Sequence, residues 1–593
     1  MVNVQTTFKL DKHQTEFIRV QLSVSKTKLI INAAFLHINN EIRALLRDSM
    51  GNRKLQVWLP LLFSITMVLG MAVGYKLREN TSMPGFFRTA NKSAMQEVLD
   101  LISLRYVDNV GVDTLSNRTI QTMLNRLDPH SIFIPASKLG MINDDLRGNF
   151  SGIGVEFQMF YDTLNVLNVL PGGPSEKAGM QVGDKIIKVN DTITIAGVKM
   201  EPDEIRKALR GETGSTVKVT VLRNGKQVPL TIIRGTIAIP SVDAAYMITP
   251  TTGFIHLNKF AESTYREFMM ALEKLQRQNM QKLILDLRGN GGGLLGQAVN
   301  IADEFLDDDK MIVYTQGAHV PKYEYRCKRE GLFEKGDLTL LIDEGSASAS
   351  EVLGGALQDW DRATIIGRRT FGKGLVQEQF ELTDGSALRL TVARYYSPLG
   401  RNIQKPYDQG YEKYEEELTE RFHSKEVLQS GDTSKADTSK IKGPAFKTPK
   451  GRIVYGGGGI TPDVYVPFDT TSMGKEVLKL YIKGTLSNFI YTYYLKHKPE
   501  IMQYKNPQQL GEAFKAGEAE WNALKNFAAA DSINLNNVSA KDKADIIKRI
   551  PSLIARQIWR YEGYYEVLNR TDNFVKKALE QLNKPMQAKV YNK

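Results

Sequence analysis

The stretch Leu340 to Gln377, LLIDEGSASASEVLGGALQDWDRATIIGRRTFGKGLVQ, constrains this chain most, because it sets a serine-rich turn before a helix and a lone lysine on a following strand. The apolar run Leu338 to Ile342 reads as a strand ending at Asp343-Glu344-Gly345, and a helix is predicted over Ala349 to Trp360, directly behind Ser348. A serine there stands among unpaired backbone N–H groups at the positive end of a helix, which favours an oxyanion forming beside it. Lys373 and Gln377 are an even number of residues apart, so a strand would point both to one face. A hydroxyl is a poor nucleophile until a neighbour takes its proton, and a lysine does so near neutral pH only if burial or charge lowers its pKa. Taken singly, Ser346, Ser348 and Ser350 serve as well for helix caps, Gly372 and Gly374 for a turn, and Lys373 for a solvated charge.

The joint pattern is more specific. GSASASE followed by TFGKG resembles the carboxyl-terminal processing peptidases, the tail-specific serine proteases. The resemblance implies that Ser348 is the nucleophile, that Lys373, 25 residues later, is the general base, and that Gln377 orients the lysine amine. A second segment agrees: strand Gly253 to Phe260, helix Glu262 to Arg277, strand Lys282 to Leu287, the loop Arg288-Gly-Asn-Gly-Gly-Gly293, and a helix through Phe305. In the resembling family the glycine loop donates a backbone N–H to the oxyanion hole, which implies Gly291 or Gly292 acting with the N–H of Ala349. Glycine suits that place because only backbone then approaches the substrate carbonyl. Alone, the glycine run fits a flexible turn or a phosphate cradle, although the Gly-Lys-Ser/Thr of a nucleotide loop is missing. The implied architecture is α+β and multidomain, with a crotonase-like (ClpP/crotonase-type) ββα core at 236–468.

Upstream, Gly152 to Phe157, Val166 to Leu170, PGGPSEKAG and VGDKIIKVN resemble a PDZ domain, assigned here to residues 147–235. Such modules add a peptide to a sheet edge while loop N–H groups hold its terminal carboxylate. The resemblance makes Ser151, Gly152, Ile153 and Gly154 the carboxylate-binding loop, the strand from Val155 the augmented edge, and Glu204 to Arg210 the bordering helix. A small β-rich packing domain is the plainer alternative.

Leu55 to Tyr75 is 21 residues without a formal charge, preceded by Arg53 and Lys54. That length predicts a transmembrane helix or signal anchor in the inner membrane, with the chain after Tyr75 on the periplasmic or other extracytoplasmic side. Residues 1–54 have no evident role, and Met50 is expected to be the natural start. Residues 76–146 are expected as a linker and helical region, in which Asn91 to Asp108 forms an amphipathic helix opened by Ser93-x-x-Gln96; the family likeness implies that such helices pair two subunits. Residues 421–450 read as a mobile insertion and 469–593 as a helical extension, with Ile554, Ile558, Tyr561, Tyr565 and Leu568 on one stripe.

The net charge of +12 is scattered along the chain and accompanies no nucleic-acid motif, so no nucleic-acid partner is expected. The single cysteine, Cys327, excludes an internal disulfide, and the seven histidines show no metal-ligand spacing, so neither metal nor cofactor is expected. Two functions follow: a serine endopeptidase that engages the C-terminal tails of exported proteins, or a non-catalytic PDZ-bearing peptide- or ligand-binding protein. A histidine base is the mechanistic rival, with His130 and His256 as candidates.

Overall fold

The computed structural model describes residues 93–160, 162–198, 200–423, 443–467 and 473–584, with helical positions between 60 and 71. Two compact units result, Met1–Val110 and Gly111–Lys593. In the first, helix α1 (Ala94–Arg105) starts where the capping pattern predicts, with the Ser93 hydroxyl accepting from the Gln96 N–H at 3.3 Å. None of its residues is buried, and Met95, Val98 and Leu101 are exposed.

The expected membrane helix is corrected. Among the described residues no helix is long and apolar enough to cross a membrane, which overturns the single-pass inner-membrane placement. The helical positions described in that stretch lie between 60 and 71. The remainder of 55–75, and all of 1–54, lies outside the described residues.

In the second unit an antiparallel sheet forms the PDZ-like block. Its strands β1 (Val155–Phe160), β2 (Thr163–Val169), β3 (Lys185–Val189), β4 (Thr216–Arg223) and β5 (Lys226–Ile233) run in that spatial order, which leaves β1 at an edge. Alternation in β4 sends Val217, Val219 and Val221 inward onto Leu164, Val166 and Ile186. Helix α2 (Pro202–Leu209), with a Glu201/Glu204 capping box, closes that core with Ile205 and Leu209.

The larger core is a six-stranded sheet in the order β6 (Val242–Met247), β7 (Thr252–Leu257), β8 (Lys282–Asp286), β9 (Asp337–Ile342), β10 (Thr364–Gly367) and β13 (Val464–Tyr465). Only the first pair is antiparallel. Apolar runs such as Leu283-Ile284-Leu285 suit parallel strands covered on both faces. Helices α3 (Thr264–Gln276), α4 (Leu295–Asp303) and α5 (Ala349–Asp359) fill one face through Phe268, Leu272, Ile301 and Leu353. Against the other face lies the last described helix, α8 (Asn573–Leu582), through Val575, Ala578 and Leu582. A second sheet carries the hairpin β11 (Leu375–Glu381) and β12 (Ala387–Tyr396).

The C-terminal stripe is split between two cores. Helix α7 (Ala540–Leu568) contains Pro551 and breaks at Trp559 and Arg560, where φ is −113° and +55°. Ile554 therefore joins the core of the extension, whereas Tyr565 packs on the six-stranded sheet. Helix α6 (Thr485–Lys496) of the same extension lies against the PDZ-like sheet, where the Tyr491 hydroxyl donates to the Val166 carbonyl at 3.0 Å. Of the segment expected to be a mobile insertion, 424–442 lies outside the described residues. Its flanks are built in: buried Arg421 donates to the Thr370 carbonyl at 2.7 Å, and Ala445–Lys447 pairs with Ile453–Tyr455.

Candidate active site

Parallel pairing of β7, β8, β9 and β10 brings the ends of these strands to one edge of the sheet. The loops that follow β8, β9 and β10 are the glycine run 287–294, the serine turn 343–348 and the segment 368–374, so three distant motifs meet at a carboxyl edge, where open α/β sheets characteristically place ligands.

In the serine turn, neighbours sort the three serines. The Ser346 hydroxyl, fully buried, donates to the Leu287 carbonyl at 2.8 Å and accepts from the Asp343 N–H at 3.0 Å. Ser350, also buried, donates to the Asn290 carbonyl at 2.8 Å. Ser348 alone is half-buried, and its hydroxyl makes no capping hydrogen bond although it stands at the N-cap of α5. Its backbone is strained, with φ +56° and ψ −113°. For a non-glycine residue this conformation costs roughly 1–3 kcal/mol and persists only where the surroundings enforce it.

The enforcing residue is Glu351, which sequence reasoning missed. Its fully buried carboxylate accepts from the N–H of Ser348 at 2.8 Å, Gly372 at 2.8 Å and Lys373 at 2.9 Å, and from the Thr370 hydroxyl. Burial pushes the carboxyl up to about 7, while the donors from Thr370, Lys373, Ser348 and Gly372 pull against that push. One side chain thus fixes the serine turn against the lysine segment. The signal was present in Ser348-x-x-Glu351, a capping-box spacing.

Lys373 is brought to the same place. Burial, and then the charge of Arg389, lower its pKa from the ordinary 10.5. Its Nζ donates to Gln377 Oε1 at 2.8 Å, and Gln377 Nε2 donates in turn to the His130 carbonyl. Strand alternation, expected to point this pair to one face, does not bring it together: Lys373 precedes β11, and a bulge interrupts the register between Val376 and Gln377. It is the bulge that re-aims Gln377. The buried Tyr395 hydroxyl lies 3.2 Å from the Ser348 carbonyl and 2.5 Å from that of Lys373, a second link that no local pattern announced. Among the described hydrogen bonds none joins the Ser348 hydroxyl to the lysine amine.

The glycine loop closes the site. Gly292, at φ +97°, leaves no room for a side chain: a Cβ there would lie 2.7 Å from the Ala347 carbonyl and 2.8 Å from Ser348 Cβ. Its N–H donates to Asn290 Oδ1 at 2.9 Å. The buried Asn290, also missed, further donates to the Leu257 carbonyl at 2.8 Å, and its own carbonyl receives the Ala347 N–H at 3.0 Å. Gly291 is exposed with open space about it, and Ala349 stands at the first position of α5.

The two histidines occupy different places. His130 Nε2 lies 2.7 Å from the Tyr414 hydroxyl, and burial, then Lys373, lower its pKa to about 3. It touches the lysine network through its backbone carbonyl. His256 stacks on Tyr565 with ring centres 4.1 Å apart, in a cleft of about 810 Å³ that also reaches Gly154, Gly289 and Arg560. In the PDZ-like block, Ser151 and Gly152 pair with Thr236 and Gly235, Ile153 is buried in that block's core, and Gly154 turns at φ +74°.

A PDZ-like sheet with an open edge, followed by a peptidase-like core with its loops at one edge, is the class these features define. Residues 251–411 match Peptidase family S41, residues 151–233 match the PDZ domain, and residues 477–560 match a family of unknown function, DUF8443. A protein of Staphylococcus aureus (strain N315) named "Probable CtpA-like serine protease" is 35% identical over 329 residues, covering 55% of this chain and 65% of that one. Its counterpart from Staphylococcus epidermidis (strain ATCC 12228 / FDA PCI 1200) is 33% identical over 317 residues, covering 53% and 63%. The chain thus spans less than two thirds of the length of these relatives. A solved photosystem II D1 C-terminal processing protease is 30% identical, covering 52% of this chain and 89% of that one at a TM-score of 0.31. Over these residues the chain is similar to Peptidase family S41 and to PDZ domains, in the order of a PDZ-bearing carboxyl-terminal processing peptidase.

Proposed function

We propose that this chain is a serine endopeptidase that engages protein substrates through their C-terminal tails and cleaves them with a Ser348/Lys373 dyad. The observation that carries the reading is the sorting of the serine turn: Ser346 and Ser350 are tied to backbone carbonyls, and Ser348 is left on a strained backbone beside a lysine of lowered pKa. Ser348 Oγ attacks the scissile carbonyl carbon while the neutral Lys373 amine takes the hydroxyl proton. The oxyanion of the tetrahedral intermediate is met by the N–H of Ala349 and a donor from Gly291 or Gly292. With Gly292 already bonded to Asn290, Gly291 is the better placed of the two. The ammonium of Lys373 returns its proton to the leaving amine, and water then repeats the cycle on the acyl-enzyme. Gln377 holds the amine until substrate arrives, and the serine–lysine hydrogen bond forms in the complex, as catalytic contacts often tighten only there.

In this reading residues 147–235 are the tail-binding PDZ domain, 236–468 a crotonase-like peptidase core and 469–593 a helical extension. The tail enters along β1 with its carboxylate at Ser151 to Gly154. Gly154 of that loop and Gly289, at the start of the glycine run, border the same cleft. The test is cleavage of a fluorogenic peptide with a free C terminus by the wild type and by Ser348→Ala and Lys373→Ala. Both variants should be folded and inert. Cleavage that survives Lys373→Ala but is lost in a folded His130→Ala or His256→Ala would refute the dyad.

A further inference from the structure

We propose that the first turn of α8, through Asp572 and Phe574, positions the three active-site loops, so that the C-terminal extension is a working part of the peptidase. The inference rests on the serine-peptidase reading above.

Both oxygens of Asp572 are in use. Oδ1 caps α8 by accepting from the Val575 N–H at 3.0 Å, and Oδ2 accepts from Arg288 Nη1 at 2.9 Å. The rest of the Arg288 fork is held by Asp286 at the end of β8, with Nε at 2.9 Å and Nη2 at 2.6 Å. Arg288 is the residue from which the glycine loop springs, so its guanidinium is pinned between the sheet and the extension. One residue on, the Gly289 N–H donates to Asp343 Oδ1 at 2.8 Å, which also takes the Gly345 N–H at 3.0 Å and thereby links the glycine loop to the serine turn.

Phe574 reaches the other two loops. Arg288 lies over its ring at 4.6 Å from the centroid, and Arg368 at 5.0 Å. Arg368 opens the segment that leads to Lys373 and holds Glu344 of the serine turn through two nitrogens, at 2.7 and 3.0 Å. At Gly367 a Cβ would stand 3.1 Å from the Phe574 ring, so backbone runs against it there. A helix cap alone needs one oxygen, and a core-filling phenylalanine needs no arginine. Here one turn of helix meets the oxyanion loop through Arg288, and the serine turn and the lysine segment through Arg368.

Asp572→Asn keeps the capping acceptor and removes the charge, and Phe574→Leu keeps the apolar bulk and removes the ring face. Loss of one charged hydrogen bond should lower kcat by about tenfold in Asp572→Asn, with KM for the peptide moving by less than about twofold. Asp572→Glu should recover part of the loss. Amide exchange should quicken across 288–293 and 343–348 in Asp572→Asn and in Phe574→Leu. Leu582→Ala, a buried apolar change on the same helix, should lower thermal stability and leave kcat and loop exchange unchanged at temperatures where it is folded. Wild-type kcat and wild-type loop exchange in the folded double variant Asp572→Asn/Phe574→Leu would overturn the inference, as would an equal fall in kcat with Leu582→Ala. A wild type that cleaves no peptide, but whose loop exchange still responds to Asp572→Asn, strikes the peptidase reading and upholds the positioning.

Discussion

The serine turn and the loop Ser151–Gly154 are both tight turns assigned to meet a peptide, and they solve the backbone problem in opposite ways. In the PDZ domain the positive φ falls on Gly154, where no side chain resists it, and the adjacent Ile153 anchors the loop in the domain core. In the serine turn the positive φ falls on Ser348 itself, and four donors converging on Glu351 hold it there. A loop that presents N–H groups to a carboxylate can delegate its geometry to glycine. A loop that must place one oxygen needs a side chain at the strained position, and a buried neighbour to enforce the strain.

The sharpest way to break this contrast is to remove the oxygen. Ser348→Ala should lower kcat by roughly 10⁴-fold or more, as expected for loss of a nucleophile that acts as a unit with its base, and Lys373→Ala should match it. Ser346→Ala and Ser350→Ala should keep substantial activity, with a stability loss of about 1–3 kcal/mol from the buried partners left unbonded; chemical denaturation checks this. Comparable losses of activity in all three serine variants would erase the distinction among them. Next in size is Glu351→Gln. An amide presents an NH₂ to donors where the carboxylate presented an acceptor, so the turn should relax, with a cost of about 1–3 kcal/mol in stability and a large fall in kcat. A Glu351→Gln variant with wild-type kcat would show that the strain at Ser348 is held by other means.

How much of this was legible depended on the distance over which a residue acts. Strand runs, the glycine loop and the serine helix follow from local pattern, and the edge of the sheet where they meet follows from parallel pairing. Glu351 was legible in principle, because Ser-x-x-Glu is a local signature. The Gln377 contact emerged for a reason other than strand alternation, since a bulge is invisible to a period of two. Asp572 and Arg288 lie 284 positions apart, and no periodicity encodes their meeting. The C-terminal stripe read as a single face because the break at Trp559 and Arg560 contains neither proline nor glycine. The flanks of 421–450 looked mobile because Arg421 and Thr448 are polar, yet both are buried against carbonyl or carboxylate partners.

The lysine gives the next sharpening. In the proposed dyad only the neutral amine accepts the serine proton, so kcat/KM should rise with pH by about tenfold per unit until the lowered pKa of Lys373 is passed. Arg389 contributes to that lowering, so Arg389→Gln should move the rising limb to higher pH. The stability sign is opposite to that of a favourable ion pair. Below the ordinary 10.5 the unfolded chain binds a proton that the folded site resists, so Lys373 disfavours folding as pH falls from there and stops adding to the penalty below its folded pKa. Lys373→Met should therefore unfold at higher temperature than the wild type near neutral pH, and the gap should close at strongly alkaline pH. A pH profile unmoved by Arg389→Gln would separate the limb from Lys373.

The smallest expected effect tests the relaxed member of the pair. If Ser151 to Gly154 receives a carboxylate, amidating the C terminus of a good substrate removes the charge that the loop N–H groups meet. A charged hydrogen bond contributes about 1.5–3 kcal/mol, so apparent affinity should fall by about tenfold or more. The effect on kcat separates two uses of the loop. A tether loses affinity and leaves turnover of bound peptide unchanged, whereas a loop whose occupation assembles the site loses both. The α6 contact with the PDZ sheet, where Tyr491 bonds the Val166 carbonyl, favours the tether, because a domain held by the extension has less freedom to swing on binding. Tyr491→Phe deletes that bond and keeps the ring; if the domain is held there, amidation should begin to affect kcat in this variant although it did not in the wild type. Equal cleavage of free and amidated peptides by the intact protein would remove carboxylate capture from the account and leave Gly154 a turn residue in a packing domain.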